Sequence, residues 1–85
     1  MHYVYKPHGV CSRLIEIDTD GEGRLSSVRF QGGCNGNLKG IGALIQGWKP
    51  EDVIERLRGI RCGLKNTSCP DQLSKALEAM LAEQK

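Results

Sequence analysis

The sequence lacks the short motifs that most often identify a function. Its 85 residues contain no CxxC pair, no HExxH motif, no Walker motif and no complete GxGxxG fingerprint. A zinc knuckle is excluded, because its paired ligands lie two to four residues apart. Serine, histidine and aspartate do not follow the order of a catalytic triad, and no paired carboxylates occur, so a hydrolase is not expected.

Aromatic residues and net charge are also scarce. The chain has two tyrosines, one tryptophan and one phenylalanine, and its formal net charge is +2. With so few aromatic residues, a surface for stacking nucleic-acid bases is not expected. The modest basic cluster of Arg56, Arg58, Arg61 and Lys65 is interspersed with acidic residues, which is typical of a solvated face.

Long apolar runs are absent as well. No segment reaches the length of a membrane span, and the first residues do not have the pattern of a signal peptide. We therefore expect a cytoplasmic protein without membrane contact. In a reducing compartment, the four cysteines Cys11, Cys34, Cys62 and Cys69 are more readily metal ligands or redox groups than static disulfides.

The pattern of the chain predicts one α+β domain over residues 1–85, with a small antiparallel sheet packed against about three helices. Strands are expected from Val10 to Asp18 and from Arg24 to Gln31, joined by a turn rich in glycine and aspartate. Tyr3 to Tyr5 is a further short β-prone piece. The predicted helices carry these apolar stripes: Leu38, Ile41, Leu44, Ile45 and Trp48; Val53, Ile54, Leu57 and Ile60; Leu73, Ala76, Leu77, Met80 and Leu81.

The ends of these helices are marked by capping residues. Asn35 or Asn37 is expected to cap the first helix, and Gly47 to end it in a left-handed conformation. Pro50 suits the first turn of the second helix, which Gly59 weakens or ends. Ser68 is expected to cap the third helix, with Asp71 completing a short form of the capping box.

The cysteines are the strongest candidates for chemistry. Cys34 and Cys69 each lie at a predicted helix start, where partial positive charge favours a thiolate. Four thiolates match the ligand set of zinc or of an iron–sulfur cluster, although the fold would have to assemble them from distant positions. Two alternatives stay open: Cys11 as a small buried apolar residue, and Cys62 with Cys69 as a redox-active dithiol pair.

A glycine-rich loop between the second strand and the first helix is the second candidate site. Backbone N–H groups in such a loop bind phosphate, so a flavin or a nucleotide is a second candidate cofactor. Trp48 and the tyrosines are the residues able to stack on its ring. The alternative is that the glycines only let the backbone turn sharply. The candidate cofactor-binding residues are Gly32, Gly33, Cys34, Asn35, Gly36 and Asn37.

Thr67 to Asp71 spell TSCPD, and with the GGCxGN loop they resemble the TSCPD domain family over nearly the whole chain. Related domains form the C-terminus of adenosylcobalamin-dependent ribonucleotide reductases, which act in DNA synthesis. The chain is too short to be such a reductase, so the resemblance implies an accessory redox protein or another related module. The family positions that carry over are Cys11, Cys34, Cys62 and Cys69.

A more distant analogy exists with NifU-type iron–sulfur scaffolds, whose three cysteines would match Cys34, Cys62 and Cys69. The resemblance also implies a third alternative, a non-catalytic interaction domain for a ribonucleotide reductase or another redox enzyme. The apolar stripe from Leu73 to Leu81 could pack within one chain or across a homodimer.

Overall fold

The computed structural model describes residues 1–10, 12–32, 35–61, 63 and 67–83. It confirms the α+β class. In chain order the elements are β1 (His2–Tyr5), β2 (Ser12–Thr19), β3 (Leu25–Gly32), α1 (Asn35–Leu44), α2 (Pro50–Leu57) and α3 (Cys69–Glu83).

The three strands form one antiparallel sheet in the order β1-β2-β3. The β-prone piece near the N-terminus is the edge strand β1, in which Tyr3 lies opposite Ile17. In the turn between β2 and β3, the Asp20 carboxylate accepts hydrogen bonds from the backbone N–H groups of Glu22 and Arg24. This is the local bonding that makes aspartate a turn residue.

One face of the sheet is covered by helices and the other carries charges. On the covered face, Ile15 and Ile17 of β2 are fully buried. On the opposite face, the Arg29 guanidinium lies 3.8 Å from the Glu16 carboxylate and 3.7 Å from the Asp18 carboxylate. The alternation along the strands therefore yields two layers, as expected for a sheet with one buried face.

Helix α3 supplies the helical side of the core. Its buried apolar residues are Leu73, Ala76, Leu77 and Met80. Met80 is fully buried in this cluster, which confirms its expected role in packing. Helix α2 packs against α3, α1 packs against β3, and α3 lies across β2. No helix among the described residues is long and apolar enough to span a bilayer.

The first helix is shorter than its apolar stripe predicted. Helix α1 ends at Leu44, whose side chain is 71% exposed, whereas Ile45 is buried in the core. The reason is a pair of backbone hydrogen bonds: Gly47 N–H donates to the Leu25 carbonyl, and Leu25 N–H donates to the Trp48 carbonyl. These bonds hold Gly47 and Trp48 against Leu25, the first residue of β3, so the helix cannot continue. Gly47 is left-handed as expected, but in this turn rather than directly after the helix.

Helix α2 matches its prediction more closely. It begins at Pro50 and ends at Leu57, and the left-handed Gly59 follows it. Ile60 was predicted to extend the apolar stripe. It lies beyond the helix and its side chain is 42% exposed, because the chain turns away at Gly59.

Candidate functional site

The start of α3 brings together three segments that are far apart in sequence. Ser68 caps the helix, because its hydroxyl oxygen accepts the Asp71 N–H at 3.1 Å. The same hydroxyl donates to the carbonyl of Ile60 at 2.6 Å. The cap therefore also fastens the segment that follows α2 to the start of α3.

The Asp71 side chain departs from the predicted capping box. Its carboxylate accepts the Gly59 N–H at 2.7 Å and the Thr67 hydroxyl at 2.5 Å. The residue is only 5% exposed. The hydrogen bond from Thr67, assisted by that from Gly59 and by the charge of Lys75, lowers the pKa of Asp71 below its ordinary value despite burial. Asp71 is therefore a buried carboxylate that joins the end of α2 to α3.

Gln72 extends this network to the N-terminal segment. Its amide oxygen accepts the backbone N–H of His8 at 3.0 Å, and its amide nitrogen donates to the Thr67 hydroxyl at 2.9 Å. Gly9 has φ = +73° and lies against Thr67, where an added Cβ would come within 3.2 Å of the threonine methyl group. The N-terminal segment thus packs closely on the residues that precede α3.

Ser12 connects strand β2 to the thiol of Cys69. The Ser12 hydroxyl oxygen lies 3.0 Å from the Cys69 sulfur, and Ser12 is 4% exposed. The sheet register shifts here: Ser12 lies opposite Gly32 and Leu14 lies opposite Gln31. Arg13 is therefore an extra residue on β2, a β-bulge, and its side chain is exposed. Because a bulge reverses the alternation of side chains, Ser12 faces the helices instead of the charged face.

Cys69 is the one predicted metal ligand that the structure describes. It is the first residue of α3, half-buried, and its thiol is free. Cys11, Cys34 and Cys62 lie outside the described residues. Among the residues that are described, no group of three histidine, cysteine or acidic side chains is placed to hold a metal ion. Within the described part of the chain, the thiol donor is therefore Cys69, with the Ser12 hydroxyl beside its sulfur.

The predicted cofactor loop is described in part. Gly32 ends β3 with φ = +84°, so the chain turns there through a conformation that favours glycine. Helix α1 begins at Asn35, so Asn37 lies within the first turn rather than at the cap, and Gly36 and Asn37 are exposed. Gly33 and Cys34 lie outside the described residues.

Trp48, the proposed stacking residue, is half-buried against the core. The guanidinium carbon of Arg56 lies 6.0 Å from the centroid of its ring. This contact has the geometry of a cation–π interaction. The ring therefore has a packing role of its own in this fold.

Several residues of the site were missed by the sequence analysis. Ser12, Thr67 and Gln72 were not named as functional residues, and Asp71 was assigned only to the cap. The sequence does contain a signal for three of these residues. Ser12 directly follows Cys11, and Thr67 and Asp71 belong to the TSCPD signature around Cys69. Polar residues close to a cysteine in sequence therefore indicate the hydrogen-bond partners of the site.

Comparison with known proteins identifies the family. A search of curated proteins and a search of solved structures each returned no match. A family model described as the TSCPD domain matches residues 3–81 of the 85 in the chain. The matched range contains β2, β3 and all of the hydrogen-bonded residues at the start of α3. The chain therefore belongs to the TSCPD domain family.

Proposed function

We propose that this protein is a small cofactor-binding module that holds zinc or an iron–sulfur cluster through Cys34, Cys62 and Cys69, with Cys11 as the fourth ligand. The observation that carries the proposal is that the start of α3, which carries Cys69, contacts the residue after Cys11 and a residue two positions before Cys62. The end of the strand that leads to Cys34 pairs with the residue after Cys11. Folding would thereby gather thiols that the sequence keeps far apart.

The sheet provides the first part of this support. Ser12 directly follows Cys11, and it lies opposite Gly32, which precedes Cys34 by two residues. Consecutive Cα atoms are about 3.8 Å apart, so short covalent links limit how far these cysteines lie from the paired strand ends. The Ser12 hydroxyl also contacts the Cys69 sulfur at 3.0 Å.

The network around α3 provides the second part. Ser68, beside Cys69, binds the carbonyl of Ile60, which precedes Cys62 by two residues. The Asp71 carboxylate accepts a hydrogen bond from the backbone N–H of Gly59, the residue before Ile60. The segment that leads to Cys62 is therefore fixed close to the helix start that carries Cys69.

The chemistry of the donors agrees with this geometry. Thiolates bind zinc and iron–sulfur clusters, and a helix N-terminus stabilises negative charge on a thiolate at its first residue. When bound, zinc would cross-link the four segments, whereas a cluster would also carry one electron. The residues of this chain would hold the cofactor through their thiolates.

The experiment that tests the proposal is metal analysis of protein purified without oxygen. We expect about one zinc per chain with a featureless visible spectrum, or iron and sulfide with charge-transfer bands. Serine variants of Cys34, Cys62 and Cys69 should each lose the metal. Less than about 0.1 metal per chain, together with four reactive thiols, would contradict the proposal.

The same absorption spectrum tests the alternatives. Flavin bands, or tight binding of an added nucleotide, would favour the redox module that uses the glycine-rich loop and a cysteine pair. A role as an interaction domain for a reductase, and assembly into a homodimer, likewise stay predictions. Light scattering and a pull-down with the reductase would test these two.

A further inference from the structure

We infer that Ser12 is a positioning residue of the thiol site, whose hydroxyl donates a hydrogen bond to the sulfur of Cys69 and holds that sulfur ready for the metal. The inference rests on the proposed function. It assigns a role to a residue that is neither a thiol nor part of the TSCPD signature.

The geometry of the contact is the first argument. The oxygen and sulfur atoms are 3.0 Å apart, and the serine is almost entirely buried. A buried hydroxyl loses its bonds to water, so it costs stability unless it has a partner. The partner that the structure gives the Ser12 hydroxyl is the Cys69 sulfur.

The direction of the hydrogen bond follows from the chemistry of the bound state. A metal-bound cysteine is deprotonated, so its sulfur can only accept. The Ser12 hydroxyl must then donate. Such a bond fixes the orientation of the sulfur and draws electron density from it, as outer-shell partners of metal ligands do.

The β-bulge at Arg13 is the second argument. Regular alternation would place Ser12 on the charged face of the sheet with Leu14 and Glu16. The extra residue turns Ser12 towards α3 instead. Bulges often re-aim a side chain beside a functional site, and here the re-aimed side chain is the one that reaches the thiol.

The test compares three variants of the reduced 85-residue chain, with cobalt(II) as the probe for a thiolate site. Ser12→Ala removes the hydroxyl, and Ser12→Thr retains it. Ser74→Ala is the matched control, because Ser74 is a buried serine like Ser12 but its hydroxyl donates to the Asp71 carbonyl at 2.6 Å, not to a thiol. Apparent affinity and the energy of the sulfur-to-cobalt charge-transfer band are measured for each.

For Ser12→Ala we expect an affinity about 10–100-fold weaker than for the wild type. Its charge-transfer band should lie at lower energy, because the sulfur electrons are no longer stabilised by the hydrogen bond. Ser12→Thr and Ser74→Ala should retain the wild-type band. If Ser12→Ala matches the wild type in both measurements, the inference that Ser12 positions the sulfur is wrong, whereas the proposed thiol site is still supported by the metal that it binds. If the wild type itself binds neither cobalt nor zinc, the proposed function fails first.

Discussion

At the scale of single residues, Gly42 lies where α1 packs directly against the backbone of β3. A Cβ atom built on Gly42 would lie 2.6 Å from the Val28 carbonyl oxygen. The helix can approach the strand this closely only because no side chain stands between them.

The substitution Gly42→Ala should therefore destabilise the protein by about 1–3 kcal/mol, because α1 must move away from β3. Gly40→Ala is the matched control on the same helix, since nothing lies within 4 Å of its added Cβ. It should stabilise by about 0.5–1 kcal/mol through higher helix propensity. Urea unfolding of both variants measures the two effects. Equal effects of the two alanines would contradict this account of the contact.

Ser12 shows what residue-level patterns could not provide. The β-branched and aliphatic residues between Val10 and Asp18 predicted strand β2 correctly. Regular alternation of side chains along that strand, however, would put Ser12 on the charged face. The bulge depends on how Ser12 and Leu14 pair with Gly32 and Gln31 across the sheet. That register is a property of two strands together, so the pattern of one strand does not contain it.

At the scale of elements, four of the five residues of the TSCPD signature have a structural role at the start of α3. Thr67 and Asp71 bond to each other, Ser68 caps the helix, and Cys69 presents a thiol at its first residue. The cap was predictable from sequence because it is local. The partners of Asp71 were not, because Gly59 lies twelve residues earlier and is brought close only by folding.

The buried carboxylate of Asp71 should make the folding stability of the protein depend on pH. Its folded-state pKa is lowered from 3.8 by the hydrogen bonds from Thr67 and Gly59. Its stabilising contribution is therefore complete well above pH 3.8 and is lost as the pH falls towards the folded-state pKa. Asp71→Asn should be about 1–3 kcal/mol less stable than the wild type at neutral pH, and the gap should narrow below about pH 4.

Chemical denaturation between pH 7 and pH 2 measures this gap. Asp52→Asn controls for the loss of one carboxylate, because Asp52 is exposed in the first turn of α2. It should change the stability at neutral pH by no more than about 0.5 kcal/mol. A gap for Asp71→Asn that stays constant over the whole pH range would contradict the assigned hydrogen bonds.

The end of α1 leads to a prediction about the stability of two variants at adjacent residues. Leu44 and Ile45 are neighbours with nearly equal side-chain volumes, yet Leu44 is largely exposed and Ile45 is buried. Ile45→Ala should cost about 2–4 kcal/mol by leaving a cavity, whereas Leu44→Ala should change stability by less than about 0.5 kcal/mol. Thermal and urea unfolding of the pair measure the difference. A similar cost for both would place the end of α1 elsewhere.

At the scale of the whole molecule, the composition and the apolar pattern of the sequence were enough to predict the α+β class. Two strands, three helices and the buried stripe of α3 followed from local periodicity, because each element carries its own apolar face. The convergence of segments at the start of α3 required long-range pairing of β2 with β3 and of α3 with the end of α2. This convergence is the basis of the proposed thiol site.

The central claim is that folding places separate cysteines around one cofactor. The most direct measurement is the alkylation rate of each cysteine in protein purified without oxygen, resolved by mass spectrometry before and after a chelator removes the metal. The account predicts that Cys34, Cys62 and Cys69 react slowly at first and accelerate together after chelation, and that Cys11, the fourth ligand, accelerates with them. Rates for these thiols that do not change on chelation would contradict it.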